Sequence, residues 1–310
     1  MRACTYCRKI LSAADSVCPQ DQNPTVEIQP EALPAELTGR FAGFQPFACG
    51  GTGTLFLGLH AESGQMALLK LLSASLSREA TDRARHHREL RKQIGIVFPH
   101  LPRVLEVGES AGRIWFLREF VSGDSLLVRL RLHGGGGGAM STPVALGVIA
   151  QLATSLDALH RHALVQRDLK PGHVLFRMDN TGAEIVQLID AGIAAPLPGR
   201  GPEARGTAAY TAPEIVEGGQ ATFRSDLYAL GCVACELLTG KQPFARASVE
   251  ETLAAQRTAP VPELDAAVPA AVRTLIASLL SKDPRRRPFS AQQVRRSLEP
   301  FLPDTVPPAP

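Results

Sequence analysis

Two stretches with helical spacing of apolar residues, Ser125 to His133 and Thr142 to Ala163, occupy the middle of the chain. The five glycines between them, Gly134 to Gly138, break both patterns and predict a loop. Thr142 is expected to cap the second helix, because Pro143 behind it suits a first helical position, where no N–H is needed. A third apolar helical pattern runs through Cys232 and Cys235, so packing is expected of both thiols rather than chemistry. Ile185-Val186-Gln187-Leu188-Ile189 reads as a strand that stops just before Asp190. Prolines mark residues 29–39 as a linker, and residues 303–310 as a tail too proline-rich to pack, expected to be disordered. No apolar run approaches the ~20 residues needed to cross a bilayer, and the N-terminus lacks a charged-then-apolar signal. A cytoplasmic protein with no membrane partner is therefore expected.

With 310 residues and 45% hydrophobic content there is chain enough for two lobes and a small extra module. The formal charge of +3 gives no reason to expect a nucleic-acid partner. The basic clusters Arg78 to Lys92 and Lys282 to Arg296 read as solvated helix faces. Cysteine usage is more informative. Cys4 and Cys7 are separated by two residues, and Cys18 and Asp21 repeat that gap. Zn²⁺ takes carboxylate oxygen as well as thiolate in a tetrahedral shell, so residues 1–28 read as a zinc ribbon with ligands Cys4, Cys7, Cys18 and Asp21. The alternative is an unmetallated tail, against which stands the inability of so short a segment to fold unaided.

Candidate chemistry lies in Arg167-Asp168-Leu169-Lys170-Pro171. An Asp followed two residues later by a Lys places a proton acceptor and a phosphate-neutralising cation on one short loop, as phosphoryl transfer to a hydroxyl requires. Asp190-Ala191-Gly192 follows 22 residues after Asp168 and offers a carboxylate at a strand end, suited to holding a metal ion. Ala212-Pro213-Glu214 comes next.

In this order and at these spacings, the motifs resemble those of the bacterial eukaryotic-like Ser/Thr protein kinase family, over about Arg40 to Leu302. The resemblance implies an α+β, bilobal fold: a small β-rich lobe at 40–121 and a larger helical lobe at 122–302, preceded by the ribbon. It implies ATP with Mg²⁺ as cofactor and a protein substrate in a signalling pathway. Asp168 and Lys170 match the catalytic loop, and Asp190 the metal-binding Asp. Gly64 to Lys70 resembles the third strand, with Lys70 as the phosphate-holding lysine and Leu68 beside it. Ala48 to Phe56 resembles the glycine-rich loop, with Gly50, Gly51, Gly53 and Leu55 as nucleotide contacts. Glu89, ten residues before Pro99, matches the glutamate that pairs with that lysine. Ile114 to Val121 resembles the fifth strand and adenine hinge, giving Arg118, Glu119 and Val121, and Leu175 matches the floor of the adenine pocket. Asp226 resembles the brace beneath the catalytic loop, and Arg287 the buried partner of Glu214. Thr207 resembles the threonine lining the acceptor site and, with Lys170, favours Ser or Thr as acceptor.

Several positions depart from the family pattern. His173 stands where the family has an Asn that binds a second Mg²⁺; imidazole is a poor ligand for Mg²⁺, so an Mn²⁺ preference is expected. Ala191 replaces an aromatic residue, Gln166 a histidine, and Ala48 the first glycine. Arg118 stands at the gatekeeper position. It is expected either to pair with Glu89, in competition with Lys70, or to extend to solvent. Residues 191–206 contain no Ser, Thr or Tyr, so Glu203 is the candidate for a permanent anion near Arg167. Two functional classes fit: a Ser/Thr kinase, favoured by the retained Lys70, Asp168, Lys170 and Asp190, and a nucleotide-binding scaffold (pseudokinase), favoured by these departures.

Overall fold

The computed structural model describes residues 1–5, 7–77, 79–132, 138–193 and 206–302. Glu203, most of the glycine run and the 303–310 tail lie outside the described residues. The chain forms two compact units, one from Met1–Val97 with Pro102–Ser122, the other from Phe98–Leu101 with the chain from Gly123 onward.

The first unit holds two sheets. Strands β1 (Arg2–Cys4), β2 (Ile10–Leu11) and β3 (Thr25–Glu27) form an antiparallel sheet in the order β2-β1-β3. Strands β4 (Gln45–Gly50), β5 (Gly53–Leu59), β6 (Met66–Leu72), β7 (Val104–Ser110) and β8 (Arg113–Glu119) form the second, in the order β4-β5-β6-β8-β7, with every neighbouring pair antiparallel. Side chains alternate across such a sheet. Phe56, Leu69 and Leu117 lie opposite one another on one face and join Leu37, Phe41, Phe44, Leu71 and Trp115 in a buried core. Leu55 lies opposite Lys70, Lys70 opposite Phe116, and Leu68 opposite Arg118, so these residues share the other face. The helix Ala80–Arg91 packs against β7 and β8, with Asp82 in its first turn and Arg88 and Arg91 in its last, as the helix dipole favours.

The second unit is mainly helical. Its longest helix, Thr142–Arg161, packs against Phe223–Thr239 and Ala291–Leu298. Two corrections arise here. The N-cap is Ser141 rather than Thr142, since Pro143, which needs no hydrogen-bonded N–H, is tolerated throughout the first turn and the helix starts one residue earlier. The same helix is long and apolar enough to cross a bilayer, against the expectation that no segment is; most of it is buried in this unit, as befits a core helix. The helix Phe223–Thr239 begins with a Thr222–Ser225 capping box and ends at Gly240 in the left-handed conformation. Cys232 and Cys235 are buried within it, as their surroundings in the sequence predict.

The segment around Ala208 and Tyr210 is fastened to this helix, to Gln242 just beyond it and to the helix Val249–Thr258. Tyr210 donates its hydroxyl proton to Glu236, Gln242 donates to the Tyr210 oxygen at 3.0 Å, and Gln256 donates to the Ala208 carbonyl at 3.0 Å. Burial raises the Glu236 carboxyl from its ordinary 4.5 to about 7, although the Tyr210 and Gln242 hydrogen bonds oppose the shift. The folded chain therefore holds a proton that the unfolded chain has released, and stability falls as pH rises from about 4.5 to about 7. Glu236→Gln keeps an acceptor for Tyr210 and removes the titration. Between pH 5 and pH 8 the variant should gain on the order of 3 kcal/mol over the wild type in thermal or urea unfolding. Parallel pH profiles would show that Glu236 does not titrate in this range.

Candidate active site

Asp226 organises the loop that carries Asp168 from the buried helix beneath it. Its carboxylate accepts the backbone N–H of Gln166 at 2.8 Å and of Arg167 at 2.9 Å, and the imidazole Nε2 of His160 lies 2.8 Å from Oδ2. Arg167 is left-handed, with φ of 72°, a conformation that costs a non-glycine residue about 1–2 kcal/mol. The two amide bonds hold the chain in that turn. Gln166, fully buried, donates to the Ile189 carbonyl at 3.1 Å and so ties this loop to the strand end that carries Asp190.

Above this brace, polar groups converge. The ammonium of Lys170 lies 2.6 Å from Asp168 Oδ2 and 3.1 Å from the hydroxyl of Thr207. Asp168 and Asp190 are both buried, at 6% and 8% exposure. His173 stands between them: Nδ1 donates to the Asp168 carbonyl oxygen at 2.7 Å, and Nε2 lies 4.0 Å from Asp190 Oδ2. A carbonyl oxygen only accepts, so Nδ1 carries the hydrogen in this bond, the usual way a ligating histidine is oriented. Leu175, on strand β9 (Val174–Met178), bridges to Ser125, and β9 pairs with β10 (Glu184–Leu188), which leads to Asp190. Gly123 makes room here, since a Cβ on it would lie 1.7 Å from the Phe176 carbonyl oxygen.

The expected nucleotide residues of the first unit occupy one sheet face and its rim. Lys70 is 3% exposed, Leu68 2% and Val121 8%. Gly51 lies in the turn between β4 and β5, and Gly50 and Gly53 pair at its base. At Gly53, φ is 142° and a Cβ would lie 2.1 Å from the Leu71 carbonyl oxygen, so glycine is required there. Ala48, opposite Leu55, follows a bulge in β4. Glu89 is buried on its helix, 3.6 Å from the ammonium of Lys92. Glu119 accepts from the Arg103 backbone N–H at 3.0 Å and from its Nε at 2.6 Å. Arg118 is 4% exposed and donates from Nη1 to the Glu119 carbonyl at 3.2 Å, so its expected route to solvent is not taken. Being β8's partner to Leu68 in the middle strand, it points into the sheet face rather than past its rim.

A second cluster lies at the N-terminus. Cys4, Cys7, Cys18 and Asp21 bring four ligand atoms within 4.8 Å of one another, all four residues buried or half-buried. The Sγ atoms of Cys7 and Cys18 are 3.7 Å apart, and Cys4 Sγ is 3.3 Å from each Asp21 oxygen. Two thiolates bound to one Zn²⁺ at ~2.3 Å stand about 3.8 Å apart, so the donors fit a tetrahedral ion. Cys4 Sγ also accepts the Cys7 backbone N–H at 3.4 Å, and Asp21 Oδ1 that of Asn23 at 3.1 Å, which stabilises anionic ligands. Burial pushes the Cys7 thiol far up, and the charge of a cation is what would bring it down to thiolate.

The sequence motifs missed His160 and the Tyr210–Glu236 pair. His160 closes the long helix, and only its position shortly before the Asp168 loop hinted at a role.

A protein kinase domain model matches residues 47–298. The chain belongs to the protein kinase family. It is 36% identical over 263 residues to the serine/threonine-protein kinase PknJ of Mycobacterium tuberculosis, a match covering 81% of this chain and 44% of PknJ. It is 32% identical over 277 residues to the serine/threonine-protein kinase pkn2 of Myxococcus xanthus, covering 84% of this chain and 32% of the relative. The kinase thus spans less than half the length of these curated relatives. The PknI kinase domain of Mycobacterium tuberculosis superposes with a TM-score of 0.66 at 25% identity, covering 84% of this chain and 96% of that domain. The fold is the bilobal α+β kinase fold, its two compact units being the β-rich N-lobe and the helical C-lobe, with the Cys/Asp cluster preceding the kinase domain.

Proposed function

We propose that this kinase transfers the γ-phosphoryl group of ATP to a Ser or Thr hydroxyl of a protein. The observation that carries this is the convergence of Asp168, Lys170 and Thr207, a buried carboxylate, an ammonium and a hydroxyl on braced backbone. Asp168 orients the acceptor hydroxyl and takes its proton, while Lys170 neutralises charge developing on the transferred group. Lys70 and the Gly50, Gly51 and Gly53 turn hold the phosphates, with Glu89 supporting Lys70. Leu55, Leu68, Arg118, Glu119, Val121 and Leu175 form the nucleotide's remaining contacts. When bound, Mg²⁺ or Mn²⁺ supplies charge neutralisation at the phosphates, and Asp190 with His173 Nε2 would hold it. The test is γ-phosphate transfer from labelled ATP to the protein itself and to a generic basic protein. Transfer is expected; ATP binding without transfer would make this a nucleotide-binding scaffold.

The imidazole at 173 sets the metal preference. His173→Asn replaces nitrogen by the oxygen that Mg²⁺ favours. The ratio of Mg²⁺-supported to Mn²⁺-supported turnover should rise several-fold in this variant, and an unchanged ratio would remove His173 from the metal shell. At the N-terminal cluster the ion is zinc, held by Cys4, Cys7, Cys18 and Asp21 in a closed shell that serves structure.

A further inference from the structure

Beside the small N-terminal sheet, Arg8 and Lys9 pair with the edge of the nucleotide-holding sheet. The Cys49 backbone N–H donates to the Arg8 carbonyl at 3.3 Å, and Lys9 forms an antiparallel bridge with Ala48. The Lys9 ammonium lies 5.9 Å from the centre of the Phe47 ring. On the other side, the Lys9 carbonyl accepts the Cys4 N–H at 3.0 Å, closing the turn that contains Cys7. Arg8 is left-handed, with φ of 66°, and nothing in a free chain would keep it so. A continuous path of backbone bonds thus runs from two metal ligands, through Arg8 and Lys9, to the strand that enters the turn at Gly50. That strand, β4, is the outermost of its five-stranded sheet.

We propose that the metal held by Cys4, Cys7, Cys18 and Asp21 orders the glycine-rich turn through this pairing, so that metal occupancy and ATP affinity rise and fall together. The inference rests on the zinc reading above. Occupancy holds Arg8 in its turn, Arg8 and Lys9 hold Ala48 and Cys49, and these set the approach to Gly50. Coupling of this kind is reciprocal, so ATP must also slow the loss of the ion.

The experiment uses the full chain. Metal content is measured first by elemental analysis, and one zinc per chain is expected; its absence overturns the zinc reading and the coupling with it. Zinc is then stripped with a chelator, and backbone hydrogen exchange and ATP affinity are compared before and after. Exchange of the amides from Cys49 to Leu55 should speed up, and ATP binding weaken, by about tenfold, the size of one lost backbone hydrogen bond. Bound zinc whose removal changes neither quantity overturns the coupling and leaves the zinc site standing. Loss of protection throughout β6 and β8 also overturns it, because the ion would then support the whole sheet. Asp21→Cys supplies a fourth thiolate, so this variant should keep its protection and ATP affinity at chelator concentrations that strip the wild type. Saturating ATP should slow zinc release from the wild type, and equal release rates with and without ATP would refute the coupling.

Discussion

Asp168→Asn should lower the rate of phosphoryl transfer by about 10²–10⁴ while leaving the affinity for ATP nearly unchanged. The substitution preserves shape and a hydrogen-bond acceptor for Lys170, whose ammonium lies 2.6 Å from the carboxylate. What it removes is the group able to take a proton from the acceptor hydroxyl. Since Asp168 is 6% exposed, solvent has little access with which to substitute for it. The loss should therefore fall on kcat, with KM for ATP close to the wild-type value. A variant that kept its kcat would show that the proton leaves by another route, and a loss confined to KM would reassign Asp168 to nucleotide binding.

Arg287→Ala should be the most damaging substitution for stability. Both terminal nitrogens of Arg287 lie 2.7 Å from the Glu214 carboxylate oxygens, Nε donates to the Ser281 carbonyl at 2.9 Å, and Nη1 also reaches the Arg224 carbonyl at 2.8 Å. The Arg287 side chain has no exposure at all, and the Glu214 side chain has 21%. Removing one partner of a buried pair costs about 3–5 kcal/mol, because the other charge stays behind. The partial exposure of Glu214 places the expected loss toward the lower end, with a fall in melting temperature of roughly 10 °C. Arg287→Lys should recover little, as an ammonium cannot span both carboxylate oxygens and two carbonyls. Unfolding within about 1 kcal/mol of wild type would show that the pair is solvated in solution.

The candidate site was legible where one short segment carries its groups. Asp168 with Lys170, and Asp190 after its strand, stand in local strings whose residue types and spacing mark them as candidates. The spacing of Cys4, Cys7, Cys18 and Asp21 was legible for the same reason, since knuckle geometry is set over a few residues. Arg118 was half legible: its position was clear, but burial depends on neighbouring strands, and the chain alone left solvent open to it. Backbone pairing leaves no mark of its own, so nothing at Arg8, Lys9, Ala48 or Cys49 announced their contact. The raised carboxyl of Glu236 comes from burial on a helix packed on every side, which no local string of residues records. The helix cap was missed by one residue because Ser141 and Thr142 are both favoured cap residues, and the folded backbone decides for Ser141.

The pairing of Arg8 and Lys9 with β4 also bears on how the domain behaves in crowded solution. An outermost strand presents a row of unused N–H and C=O groups to any other chain that arrives extended, and proteins commonly cover such rows. Here a ribbon of a few residues does so at Ala48 and Cys49. The region that matches the kinase domain begins at residue 47, inside β4 itself. A chain trimmed to that boundary would keep Lys70, Asp168, Lys170 and Asp190 and lose both the cover and the core residues Leu37, Phe41 and Phe44. It would then self-associate along a bare sheet edge, in addition to the weaker ATP binding expected once Arg8 and Lys9 no longer hold the turn.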